Sequence, residues 1–177
     1  MSVAGALSIA APFTGQLEGF RANPYWDVNG YAIGYGNHYY EDGSPVELGD
    51  DPITPAQGLH LLNFTLSQVA AGVSNLLYIP VSDSMLAALT DLAYNWGIGN
   101  LGRSILLTLI NSEASQDEII SQWQVTATTS GGQTNSDLIS RRALEARLAY
   151  SNIGSQEAGI PLLIIIILLF YFVFRKK

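Results

Sequence analysis

Residues 18–36 read E-G-F-R-A-N-P-Y-W-D-V-N-G-Y-A-I-G-Y-G, and this stretch decides the fold. Glu18 closes a short apolar-faced segment, and Gly19 directly after it is a helix stop. Asp27 follows nine positions on, just before Asn29-Gly30, a turn pair opening an alternating segment through Tyr31, Ile33 and Tyr35. A helix end and a hairpin thus carry one carboxylate each. Two carboxylates facing each other across a cleft have their pKa values pushed apart, so that one serves as acid and the other as base. Glycoside hydrolysis needs such a pair: a protonated group on the leaving oxygen and a carboxylate that directs water or attacks the sugar. Taken without context, two acids at this spacing are more often ordinary solvated side chains. The surrounding sequence decides between the two.

E-G-F-R at 18–21, Y-W-D at 25–27 and N-G-Y-A-I-G-Y-G-N at 29–37 closely resemble the phage-type lysozymes, family 24 of the glycoside hydrolases. The pattern of that family is E-G-x-R, eight residues between Glu and Asp, then G-x-x-T-I-G-Y-G-H. Further similar text lies in D-G-S-P-V at 42–46, in the Y-N-W-G-I-G and S-I-L-L-T-L-I-N runs at 94–99 and 104–111, and in R-R-x-x-E at 141–145. The resemblance covers roughly residues 13–150. It implies an α+β, mainly helical, two-lobed domain with a small antiparallel sheet. It also implies a muramidase reaction on bacterial peptidoglycan, cutting the β-1,4 bond between N-acetylmuramic acid and N-acetylglucosamine. Glu18 is then the general acid and Asp27 its partner, with neither metal nor cofactor.

Two departures bear on mechanism. The family threonine before I-G, which helps hold the attacking water, falls on Ala32, with one residue missing after Gly30. Asn29, or a backbone group brought in by the shorter loop, is the candidate substitute. The family histidine after G-Y-G falls on Asn37, with His38 one place late. Loss of the threonine opens an alternative, a lytic transglycosylase in which Glu18 acts and the muramic hydroxyl replaces water, leaving anhydro ends. A further alternative is an inactive wall-binding virion protein, against which the retention of both Glu18 and Asp27 argues.

Outward from this stretch, Leu7 to Leu17 suit a helix, but Pro12 interrupts it, so a short element starting near Pro12 is expected. Aromatic and β-branched residues between 25 and 46, broken at Asn29-Gly30 and Asp42-Gly43, read as the sheet. Ile53-Thr54-Pro55 opens a helix to about Leu77, with Thr54 as N-cap; in the resemblant fold it backs the cleft. A central helix with Ser82 as cap runs to Gly97; its Trp96 reads as core, while Asn95 either caps it or faces substrate. G-I-G-N-L-G at 97–102 is a helix stop and turn, since no strand precedes it and no Lys-Ser/Thr follows. After a short helix around Trp123, residues 126–133 read as a loop able to rim the cleft. Ser136-Asp137 then caps a last helix, in which Arg141 and Glu145 form an i, i+4 pair read as structural.

Composition narrows the classes. The chain has 177 residues and no cysteine, and two histidines too far apart to suggest zinc. Before residue 160, five arginines stand against fifteen acids, and both lysines are the last two residues. Such an acidic body is a poor nucleic-acid binder, so no nucleic-acid partner is expected. The first residues are small and apolar but lack a basic segment, which argues against a cleaved signal peptide.

Ile160 to Phe174 is one apolar run followed at once by Arg175-Lys176-Lys177. From Ala158 to Phe174 it would span roughly 25 Å as a helix at about 1.5 Å per residue, at the short limit for a hydrocarbon core of about 30 Å. The expected organisation is a lysozyme-like domain at 1–150, a linker at 151–159 and a transmembrane anchor at 160–177. Residues 160–174 lie in the bilayer, either of a virion or of the host cell, with the domain on the side away from the basic tail. An anchor without a polar face contributes location rather than folding energy. Deleting residues 158–177 is therefore expected to leave a soluble domain of unchanged melting temperature, active on isolated wall fragments. Failure of the truncated chain to fold would place the run in the core.

Overall fold

The computed structural model describes residues 1–28 and 30–151. Helix α1 (Val3–Glu18) leads into a hairpin of β1 (Arg21–Asp27) and β2 (Gly30–Gly34). Then come α2 (Pro55–Ser74), α3 (Asp83–Trp96), α4 (Ile98–Leu101), α5 (Ile105–Asn111) and α6 (Gln116–Val125). A two-residue hairpin of β3 (Thr129–Ser130) and β4 (Gln133–Thr134) precedes α7 (Ser136–Ala149). The mainly helical α+β class and the small antiparallel sheet are as the sequence implies. The tail at 160–177, linker positions 152–159 and Asn29 lie outside the described residues. Among the described residues, no helix is long and apolar enough to cross a membrane.

Helix α3 organises the large lobe. Every residue from Ser84 to Ala93 is buried, because α1, α2 and α7 all pack on it. Ser82 caps it by accepting from the Met85 N–H, and Gly97 ends it at φ 93. The long α2 joins the two lobes: Leu62, Leu66 and Val73 enter the large core, while Leu61 packs with Ile33 and Val46 in the small one. Its start is a capping box between Thr54 and Gln57, which satisfies two backbone donors at once. Where β2 crosses α2, a Cβ at Gly34 would lie 3.4 Å from the Gly58 Cα, so two glycines permit the approach.

Four local expectations are corrected. Helix α1 starts at Val3, capped by Ser2, and passes straight through Pro12. Proline there removes one backbone bond and crowds the Ser8 carbonyl, but burial of Ala6, Ile9, Ala10 and Phe13 outweighs that cost. Cleavage after Pro12 would strip Ala6, Ile9, Ala10 and Ala11 from the core. The sheet begins at Arg21 rather than Tyr25, and beyond Gly34 it continues only as isolated bridges, Ile33 with Asn37 and Tyr39 with Pro45. Helix α7 is capped by Asn135, whose side chain accepts from the Asp137 and Leu138 N–H groups. Residues 126–133 include half of a tiny hairpin turned at Gly131-Gly132, both at positive φ, and none of them lines the cleft.

Pro12→Ala would restore a donor to α1 and relieve the ring. It is expected to raise the unfolding free energy by about 1–3 kcal/mol, read as a higher urea midpoint at unchanged slope. A lower midpoint would show that the ring's packing outweighs the missing bond.

Candidate active site

The last turn of α1 delivers Glu18 to the floor of a cleft of about 740 Å³ between the lobes. Gly19 at φ 70 ends the helix immediately afterwards, so the chain reverses into β1 and returns along it to Asp27. Both acids line the cleft, together with Tyr25, the 36–40 segment, Phe64, Thr65, Gln68 and Val69 of α2, and the residues from Ala93 to Ile98. The expected pairing of Glu18 and Asp27 on separate elements is therefore what the fold assembles, with α2 as the back wall.

Arg141 sets the charge environment of Glu18. Its Nη1 donates to Glu18 Oε1 at 2.8 Å, while Nε and Nη2 donate to the two oxygens of Asp91 at 3.0 and 2.9 Å. Asp91 is fully buried and also accepts from Thr14 Oγ1 at 2.7 Å. Burial works against its charge, but the Arg141 guanidinium and the hydrogen bonds it receives hold its pKa below the ordinary carboxylate value. Burial raises the pKa of Glu18 above its ordinary 4.5; Arg141 opposes the rise, and the charges of Asp91 and Asp27 add to it. A carboxyl with raised proton affinity beside a cleft suits proton donation to a leaving oxygen.

Around the acid the packing is close. A Cβ at Gly36 would lie 3.4 Å from Glu18 Oε2 and 3.7 Å from the Tyr94 hydroxyl, and Gly36 sits at φ +86, where glycine is favoured. Tyr94 donates to the Tyr35 carbonyl at 2.8 Å. Asp27, at the end of β1, is far more open: its Oδ1 accepts from the Val28 N–H and its Oδ2 lies 3.5 Å from His38 Nε2. One acid is enclosed and proton-loving while the other is open to water.

Several expectations about single residues change. Ala32 is fully buried on β2, opposite Tyr25, and is not among the residues lining the cleft, and its methyl group offers no hydroxyl. Asn29 lies outside the described residues. Asn95 is exposed and lines the cleft, accepting from Arg142 Nη2 at 2.9 Å rather than capping α3. Trp96 is only half-buried and lines the cleft, so it is not simply core, because the helix turns its last residue out of the bundle. The Arg141–Glu145 contact, at 3.5 Å, is buried and secondary to the bonds of Arg141 with Asp91 and Glu18. Sequence reasoning missed Asp91, Thr14, Tyr94 and the reach of Arg141. The available signal was T-D inside the apolar run A-A-L-T-D-L-A, a carboxylate that must be paired if the helix is buried.

With this geometry in view, comparison with known proteins is decisive. Residues 15–145 match the family model described as phage lysozyme. The chain belongs to the phage lysozyme family. It is 33% identical over 138 residues to the endolysin of Bacillus phage B103, a match spanning 75% of this chain and 49% of that protein. The chain thus spans about half the length of that relative. It is 31% identical over 154 residues to the SAR-endolysin of Enterobacteria phage P21, covering 81% of this chain and 87% of that one. Among solved structures, the muramidase domain of SpmX from Asticaccaulis excentricus superposes with a TM-score of 0.69 at 25% identity, over 81% of this chain and 95% of the other. As a phage lysozyme, the chain places Glu18 and Asp27 within the matched span.

A carboxyl with a raised pKa makes the folded state bind its proton more tightly than the unfolded chain does. The stability it contributes is fully present below the ordinary value of 4.5 and is lost as pH rises through the folded value. Glu18→Gln removes that loss. Calorimetry should therefore find the variant melting above wild type at about pH 7 and level with it at about pH 4. A variant less stable at neutral pH would mean that the bond to Arg141 dominates the burial of Glu18.

Proposed function

We propose that this phage lysozyme is a muramidase that hydrolyses the β-1,4 bond between N-acetylmuramic acid and N-acetylglucosamine in bacterial peptidoglycan. The observation that carries the reading is the enclosed Glu18, raised in pKa, facing the open Asp27 across one cleft. In the reaction the Glu18 proton passes to the glycosidic oxygen as the C–O bond breaks. A water directed by Asp27 bonds to the anomeric carbon and gives up one proton to the Asp27 carboxylate. Trp96, Tyr25 and Tyr39 supply aromatic faces along the cleft for the sugar rings. The domain works tethered: residues 160–174 sit in a virion or host membrane, the basic tail on its inner side, for penetration of the wall or for host lysis. An acidic body gains no attraction to anionic walls, which makes a tether useful.

The buried Ala32 keeps the transglycosylase alternative in play, since no family threonine holds water. Mass spectrometry of digested peptidoglycan separates the two reactions, with reducing ends expected and anhydro-muramic ends favouring the alternative. Glu18→Gln is expected to lose about 10²–10⁴ in rate while remaining folded. Asp27→Asn should lose most activity if water is the acceptor and much less if it is not. Wild-type rates in a folded Glu18→Gln protein would remove the assignment.

A further inference from the structure

Of the two departures from the family pattern, Ala32 is buried on β2 opposite Tyr25, and the shifted histidine stands beside Asp27. Asn37 turns inward, only 3% exposed, and donates from Nδ2 to Thr65 Oγ1 at 2.9 Å. His38 lines the cleft, its ring held between β2 and the end of β1. Its Nδ1 is 3.0 Å from the Tyr31 carbonyl oxygen. A carbonyl only accepts, so Nδ1 carries the ring hydrogen, and in the neutral imidazole Nε2 is a bare acceptor. That lone pair faces Asp27 Oδ2 at 3.5 Å, longer than the roughly 2.7–2.9 Å of a charge-assisted N–H···O bond. Two acceptors, both partly open to the cleft, therefore border a common site.

A water there donates one O–H to Asp27 and the other to His38 Nε2. With both hydrogens engaged, its oxygen lone pairs are left to face a sugar in the cleft. We propose that His38, together with Asp27, holds the attacking water and so takes over the work of the threonine hydroxyl that Ala32 lacks. The inference rests on the muramidase reading. Glu18 gives its proton to the leaving oxygen, the anomeric C–O bond breaks and the water oxygen bonds to that carbon. One water proton passes to Asp27, while His38 accepts a hydrogen bond from the other hydrogen throughout. Proton exchange with solvent then restores both acids.

The arrangement works only while the ring is neutral. A protonated His38 becomes a donor at Nε2 and pairs with Asp27, occupying one acceptor and abolishing the other. Among the described residues, the carboxylates that line the cleft with the ring are Asp27, beside it, and Glu18. The neighbouring Glu41 is engaged with His60 at 2.8 Å, and the α2 residues lining the cleft (Phe64, Thr65, Gln68 and Val69) are uncharged.

The test is release of reducing ends from purified peptidoglycan by the full chain and its variants across pH. His38→Ala is expected to lower kcat about ten- to thirtyfold with little change in KM, to keep only the part of the acid-side fall that protonation of Asp27 imposes, and to regain rate with added imidazole. His38→Gln, which keeps an amide donor and a carbonyl acceptor, should retain more rate and show the same reduced acid-side fall. An unchanged kcat and pH profile in a His38→Ala protein with wild-type melting temperature overturns the inference. If that variant fails to fold, the same criterion applied to His38→Gln decides. A wild-type chain that releases no reducing ends, or a Glu18→Gln chain that stays active, overturns the muramidase reading and takes the role of His38 with it.

Discussion

The fold of the large lobe turns on one cation, Arg141, buried between the first, third and last helices of that lobe. Its guanidinium binds Asp91 with two donors and Glu18 with a third. Thr14, one turn before Glu18 on α1, completes Asp91 from the other side. Replacing water around such groups is expensive, and a buried pair repays the cost only when its donors and acceptors are matched. Its value here is geometric. Removing one partner of a buried pair costs about 3–5 kcal/mol, so α1, α3 and α7 cannot slide without breaking bonds worth that much. The carboxyl at the end of α1 is held in place as a consequence.

The same constraint separates the two acids of the cleft. Glu18 grows from the rigid helical side, enclosed by Gly36, Tyr94 and Arg141. Burial is therefore the largest influence on its proton affinity, and the nearby guanidinium only moderates it. Asp27 sits on a two-stranded ribbon whose register pairs it with Gly30, in contact with solvent and with His38. A helix end and a hairpin end offer different dielectric surroundings. That difference, more than any difference between glutamate and aspartate, sets the two carboxyls apart.

Beneath Arg141 a second layer ties α6 to α7. Trp123 is fully buried and donates from Nε1 to Glu145 Oε2 at 2.8 Å, while Arg142 lies 2.7 Å from Glu145 Oε1 and reaches Asn95 at the rim of the cleft. Burial and the charge of Asp91 push the pKa of Glu145 well above the ordinary carboxyl range. The R-R-x-x-E string thus works in two directions from one helix turn: Arg141 faces the acid, and Arg142 with Glu145 faces the packing of α6 and the cleft edge.

Much of this was legible in the chain. Gly19 after Glu18, the hairpin turn at Gly30, Thr54-Pro55 and Ser82 with Gly97 mark helix ends and a reversal by local chemistry alone, and each element starts or stops there. Local signals of this kind survive because caps and turns depend on a few neighbouring residues. Burial does not. Pro12 reads as a helix breaker until the packing of α1 is known, Trp96 reads as core until the end of α3 meets the cleft, and Arg141 reads as the structural i, i+4 partner of Glu145 until its bonds to Asp91 and Glu18 are seen. The bond from Arg141 to Glu18 spans 123 positions, and that from Thr14 to Asp91 spans 77. No local pattern encodes which of several arginines and acids will meet at such range. The sequence determined which carboxylates stand at the ends of which elements; only the tertiary structure decided their partners and surroundings, because charge and proton affinity in a protein depend on burial and on neighbours that the fold brings together.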